Sequence, residues 1–110
     1  MSFDLPKPIA AYIEAGANLD ADAMAAPFAD DATVDDSGDG HQPEGKEEIR
    51  AWIENNTVAV KAIFSPTSAH EQAGRWILAG PVAGNFPGSP VNLQFSFQLR
   101  GDRIAALTIR

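Results

Sequence analysis

"VNLQFSFQLR", residues 91–100, decides the architecture of this chain. Val91, Leu93, Phe95, Phe97 and Leu99 alternate without a break with Asn92, Gln94, Ser96, Gln98 and Arg100. A period of two over ten residues is the pattern of a strand with one buried face. Outward from it, "GD" (101–102) turns into "RIAALTIR" (103–110), a last strand with Leu107 and Ile109 on one face. Upstream, "PGSP" (87–90) reads as a loop, "RWILAGPVAGNF" (75–86) as a strand, "AG" (73–74) as a turn and "AVKAIFSPTSAHEQ" (59–72) as extended. Everything beyond about Val58 therefore reads as an antiparallel meander.

The first half reads as helix. "DLPKPIAAYIEAGA" (4–17) sets Ile9, Tyr12, Ile13, Gly16 and Ala17 at helical spacing, with Asp4 as the cap and both prolines in the first turns. Asp20 is placed to cap a short second helix through "ADAMAA", which Pro27 ends. In "KEEIRAWIENN" (46–56), Ile49, Trp52 and Ile53 form one stripe while Glu47, Glu48, Arg50 and Glu54 point outward. Between the second and third helices lies "FADDATVDD" (28–36). Ala32 to Asp36, with β-branched Thr33 and Val34, reads as a short strand closed by "SGDG". Asp36 stands at its mouth, and alternation sends Asp35 to the opposite face. Asp30 and Asp31 read as capping or ending the loop after the second helix. Three N-terminal helices packed on one face of an antiparallel sheet make an α+β domain.

Composition narrows the functions. The 110 residues suffice for one domain (1–110) and one core, so an active site has to share that core. The net charge of −7, with Lys and Arg scattered singly, speaks against nucleic acid and anionic membrane surfaces as partners and for an apolar small molecule. No apolar run approaches the roughly 20 residues of a membrane span, and "MSFDLPKP" lacks a signal-peptide pattern, so a cytoplasmic protein is expected. With no cysteine there is neither a disulfide nor a thiolate nucleophile. Residues 35–46, "DDSGDGHQPEGK", partly follow a calcium loop, but Lys46 stands where its bidentate Glu must be. HExxH, GxSxG, P-loop and dinucleotide patterns are missing, so neither a metal nor a cofactor is expected.

The pattern "AYIEAGANLDADAMAAPFADDATVDDSG…EGKEEIRAWI", followed by "LRGDRIAAL", resembles the nuclear-transport-factor-2-like superfamily, in particular its SnoaL-like and ketosteroid-isomerase-like branches, over nearly the whole chain. The resemblance implies a cone-shaped, cystatin-like fold whose curved sheet wraps the helices around a pocket. It also implies a homodimer through the outer sheet face. In ketosteroid isomerases a carboxylate after the first strand takes a proton from beside a carbonyl, and a helix-1 tyrosine donates to the enolate oxygen. Those positions fall on Asp36 and Tyr12, 24 residues apart here as in that family. The family's second donor, a protonated aspartic acid, falls on Phe95, which cannot donate. His41, in the loop after the carboxylates, is a candidate assisting acid or base. Trp52, Phe86, Phe95 and Phe97 are the candidate substrate-binding aromatics, while His70 reads as surface. The expected activity is that of an isomerase or cyclase. The alternative is a non-catalytic ligand-binding or dimerisation domain of the same fold. Epoxide hydrolysis would need an arginine turned into the cone, and none of Arg75, Arg100, Arg103 and Arg110 reads as inward.

Overall fold

Helix α1 runs from Lys7 to Ala17, its prolines in the first turn, where a missing N–H costs nothing. A computed structural model describes residues 4–36 and 40–110. Pro6 holds the N-cap position of α1 without a side-chain hydrogen bond, so Asp4 is not the cap. The buried stripe is Pro8, Ile9, Tyr12 and Ala15, and Ala17 is exposed. Helix α2, Ala21–Ala25, is capped as expected: the Asp20 carboxylate accepts from the Ala23 N–H at 3.1 Å. Helix α3, Lys46–Ile53, buries Ile49, Trp52 and Ile53.

The strands are β1 (Phe28–Asp35), β2 (Ile63–Phe64), β3 (Ser68–Gln72), β4 (Arg75–Ala83), β5 (Val91–Arg100) and β6 (Arg103–Ile109). They join in the order β1-β6-β5-β4-β2, with β3 also paired to β4. The α+β class and the cystatin-like, curled sheet agree with the sequence reading. The sheet is mixed, however, and not wholly antiparallel: β1 lies parallel to β6, with Val34 opposite Leu107 and Asp35 opposite Thr108. Helix α3, a further helical turn and four strands separate the two in sequence, so nothing local in either one reveals their direction.

Three other expectations change. β1 starts at Phe28 and not at Ala32, because an irregularity in the register with β6 lets both Phe28 and Ala29 face the core. Asp30 and Asp31 are thus strand residues on the exposed side, not loop caps. Asp31 is hydrogen-bonded to Arg100 and Asp30 lies 3.8 Å from Lys46 Nζ. The third helix, expected as one run through Asn56, changes its winding at Glu54 into a π-helical turn, Glu54–Val58, closed by Ala59 N–H to Glu54 C=O at 3.0 Å, and residues 59–61 turn instead of extending. The stretch expected as one extended run is two strands, broken around Pro66. That break packs tightly on β4: a methyl at Gly80 would stand 2.9 Å from both Pro66 Cα and Thr67 N.

The core lies between the helices and the sheet. Ile9, Phe28, Ile49, Ile53, Leu78, Phe97 and Ile104 have no exposed surface. Among the described residues no helix is long and apolar enough to cross a membrane.

Candidate active site

Tyr12 sits on the buried stripe of α1, 4% exposed, with its ring edge-on to Phe28 and Phe97 at centroid distances of 5.7 and 5.6 Å. Such T-shaped contacts fix the ring and leave the hydroxyl to be placed by the helix. Asp36 follows the last residue of β1. Alternation turns Ala32, Val34 and Asp36 to the core and Thr33 outward. A returning segment locks that register: Gly45 N–H donates to Ala32 C=O at 2.7 Å and Val34 N–H to Pro43 C=O at 3.1 Å. Asp36 and His41 exchange backbone bonds of 2.9 and 3.1 Å. Asp36, 8% exposed, is the one charged side chain buried among the described residues.

The two groups meet on one cavity of about 600 Å³. Bordering it are the buried Tyr12, Met24, Asp36, Trp52, Val82, Phe95 and Ile109, the half-buried Phe64, Phe86, Val91 and Leu93, and the polar run Asn55, Asn56 and Thr57 beside Pro87, with Asn55 and Pro87 exposed. This is the size and mostly apolar lining of a small-molecule site. Electrostatics couples the pair. Burial pushes the Tyr12 hydroxyl far above the ordinary phenol range, and the Asp36 carboxylate pushes it further. Tyr12 is therefore a neutral hydrogen-bond donor at any physiological pH.

Of the residues singled out from the sequence, Tyr12, Asp36, Trp52, Phe86 and Phe95 border the cavity. Phe95 stacks on Phe64 with centroids 4.1 Å apart and planes 19° apart. Phe97 does not border it: fully buried, it lies behind the wall and supports Tyr12. His41 adjoins Asp36 through the backbone, yet it is not among the residues bordering the cavity. His70 is an exposed-strand residue of β3, 3.4 Å from Gln72 Oε1. Ser37 to Asp39, which carry part of the calcium-loop pattern, lie outside the described residues.

The sequence reading missed Met24 and the polar rim Asn55–Thr57, which the π-turn brings to the cavity. It also missed Arg110. That residue continues the β6 ladder opposite Gln94 and borders the cavity, where no arginine was expected. The one sequence signal was the polar run "ENNT" directly after the apolar stripe of α3.

No family profile matches the chain, and no curated protein matches it. Solved structures do. A candidate polyketide cyclase of Sinorhizobium meliloti is 34% identical over 97% of this chain and 96% of its own, with a TM-score of 0.89. A hypothetical protein of Catenulispora acidiphila with a ketosteroid isomerase-like fold, crystallised with trimethylamine, is 22% identical at a TM-score of 0.83, covering 96% of this chain and 85% of its own. SalBIII, an epoxide hydrolase/cyclase-like enzyme of pyran-ring formation in salinomycin, superposes at 0.80 with 19% identity over 94% and 86%. The last two show a common fold; the first, at its identity and coverage, shows kinship. The chain belongs to the nuclear-transport-factor-2-like superfamily, in its SnoaL-like, ketosteroid-isomerase-like branch.

Proposed function

We propose that this protein is a small-molecule isomerase or cyclase that removes a proton from beside a carbonyl group. Asp36 is the general base: its carboxylate takes the proton from the α-carbon, and the electron pair moves onto the carbonyl oxygen. Tyr12 donates a hydrogen bond to that oxygen as negative charge develops. The proton then returns to another carbon, giving an isomer, or the enolate carbon attacks a second carbonyl, closing a ring, and the resulting alkoxide takes the proton back from Asp36. The observation that supports this reading is the convergence of a buried carboxylate and a buried, neutral tyrosine on one apolar cavity. Trp52, Phe86 and Phe95 shape the place of an apolar carbonyl ligand, with Phe97 holding Tyr12 from behind. His41 acts by fixing the backbone of Asp36 and not by moving a proton.

Exchange of α-protons for solvent deuterium, followed by NMR on a panel of fused-ring ketones, tests the reading without knowledge of the natural substrate. Asp36→Asn and Tyr12→Phe are expected to slow exchange by about 10²–10³ while melting like the parent. If both variants exchange at the parental rate, the assignment is wrong.

A second reading, a ligand-binding domain without turnover, is favoured by Phe95, which stacks on Phe64 where the isomerase family has an acid. It predicts binding of the same ketones with no exchange. Cytoplasmic location and a homodimer through the outer face of the sheet, around Asn92, Gln94, Ser96 and Gln98, are further parts of the proposal. Sedimentation measures the dimer.

A further inference from the structure

Trp52 presents an anomaly on the wall of this cavity. Only 7% of the residue is exposed, and its indole nitrogen is hidden from solvent with no hydrogen-bond partner. No other described side-chain nitrogen or oxygen is buried in this way. A buried N–H left without an acceptor costs about 1–3 kcal/mol, and such groups are uncommon in folded proteins. The cost is avoidable, because the indole could be a phenyl ring with nearly the same packing. Helix α3 offers no relief: the nearby Asn56 donates its own side-chain amide to the Trp52 carbonyl at 3.1 Å. Asp36, Asn55, Asn56 and Thr57 border the same cavity, but none of them is a hydrogen-bond partner of the indole nitrogen, so an oxygen carried by a ligand in the cavity is the acceptor that would satisfy it.

We infer that the Trp52 indole N–H is a ligand-binding group, which donates to an oxygen of the molecule held in the cavity. The inference rests on the cavity being a ligand site, as proposed above, and it deepens that reading by adding a second neutral donor to Tyr12. It also defines the ligand: a flat apolar body that carries a hydrogen-bond acceptor on the side facing α3. Pure hydrocarbons of the same shape leave the N–H unsatisfied and bind more weakly. Because the nitrogen is covered in the empty cavity, the ring turns slightly as the ligand oxygen arrives.

Two-ring probes test this. The protein has two tryptophans, Trp52 and Trp76, so a ¹⁵N-indole spectrum has two side-chain signals, and Trp76→Phe assigns them. With 2-naphthol or 2,6-dihydroxynaphthalene the Trp52 N–H proton is expected to move downfield; with naphthalene it stays. Benzothienylalanine at position 52, which keeps the ring shape without the N–H, is expected to weaken binding of the phenols about five- to tenfold relative to naphthalene, the value of one hydrogen bond. Trp52→Phe also removes wall area, so it weakens binding of all three probes, and of the phenols more than of naphthalene. Phenols that bind without moving the Trp52 signal overturn the inference while leaving the roles of Tyr12 and Asp36 intact. If none of the three probes binds, the inference and the cavity reading fall together. Loss of α-proton exchange in Asp36→Asn is a separate readout, so the two failures are told apart.

Discussion

Tyr12 is the only tyrosine in the chain, so an alkaline titration reads the candidate site directly. An exposed phenol has a pKa of about 10 and is about 90% ionised at pH 11. Tyr12 is held well above that range, first by burial and then by the charge of Asp36. At pH 11 the folded protein is therefore expected to show almost no tyrosinate absorbance, whereas the unfolded chain shows nearly all of it. The sign of the stability change follows. The folded state keeps its proton longer than the unfolded one, so the contribution of Tyr12 is fully present below about pH 10. Above it, stability falls by about 1.4 kcal/mol per pH unit until the folded group ionises as well. Absorbance and circular dichroism recorded together make the assay: tyrosinate and loss of structure should rise as one transition. Asp36→Asn removes the second cause and leaves the first, so the midpoint of tyrosinate formation should drop below the parent's yet stay above 10. Tyrosinate forming near pH 10 in a chain still folded would refute the burial argument. Identical midpoints in parent and variant would refute the shared cavity.

Other expectations are more local. Gly80→Ala pushes a methyl against the Ser65–Thr67 backbone, which leaves no room for it, and should cost about 1–3 kcal/mol in urea unfolding. The Asp31–Arg100 pair is exposed, so Arg100→Ala should change the melting temperature little, and less still in high salt. Because the Arg100 hydrogen bond lowers the Asp31 pKa, whatever that pair contributes is present above the ordinary carboxylate pKa and lost as pH falls through the lowered one.

Some of this architecture was legible in the sequence, for a physical reason. Strand β5 spans the residues that alternate in "VNLQFSFQLR", because burial of one face is recorded residue by residue. The same logic placed Ile49, Trp52 and Ile53 inward on α3, whereas the place of Asp36 on the pocket came from the family resemblance. Pairing direction left no such record. β1 reads alike beside a parallel or an antiparallel neighbour, and its parallel alignment with β6 pairs the first strand of the chain with the last. The π-turn was illegible for a similar reason. Residues 54–58 have no apolar stripe of their own; their winding ends where Asn85 donates to the Val60 carbonyl and where Gly84 lies against Val60 and Ala62. Those contacts are distant in sequence, and they carry Asn55, Asn56 and Thr57 to the rim. Hence Tyr12, Asp36 and the aromatic wall could be read from the chain, whereas Met24 and the polar residues of the π-turn could not.

Phe95 bears on how the site should respond to pH. A protonated acid in that position would add a titrating donor, whereas a phenyl ring stacked on Phe64 adds none. The donors that remain are the Tyr12 hydroxyl, which stays neutral beyond the ordinary phenol range, and the Trp52 indole, which does not titrate at all. Asp36 is then the one group of the proposed machinery whose proton changes between acid and mildly alkaline pH. Proton exchange at a ketone's α-carbon should rise along a single limb as the base loses its proton, then stay level to about pH 10, where an ordinary phenol would already be ionising. A histidine that shuttled protons would add a second limb to the profile. A second limb that vanishes in His41→Gln would move His41 from the frame of Asp36 into the chemistry; a single limb keeps it in the frame.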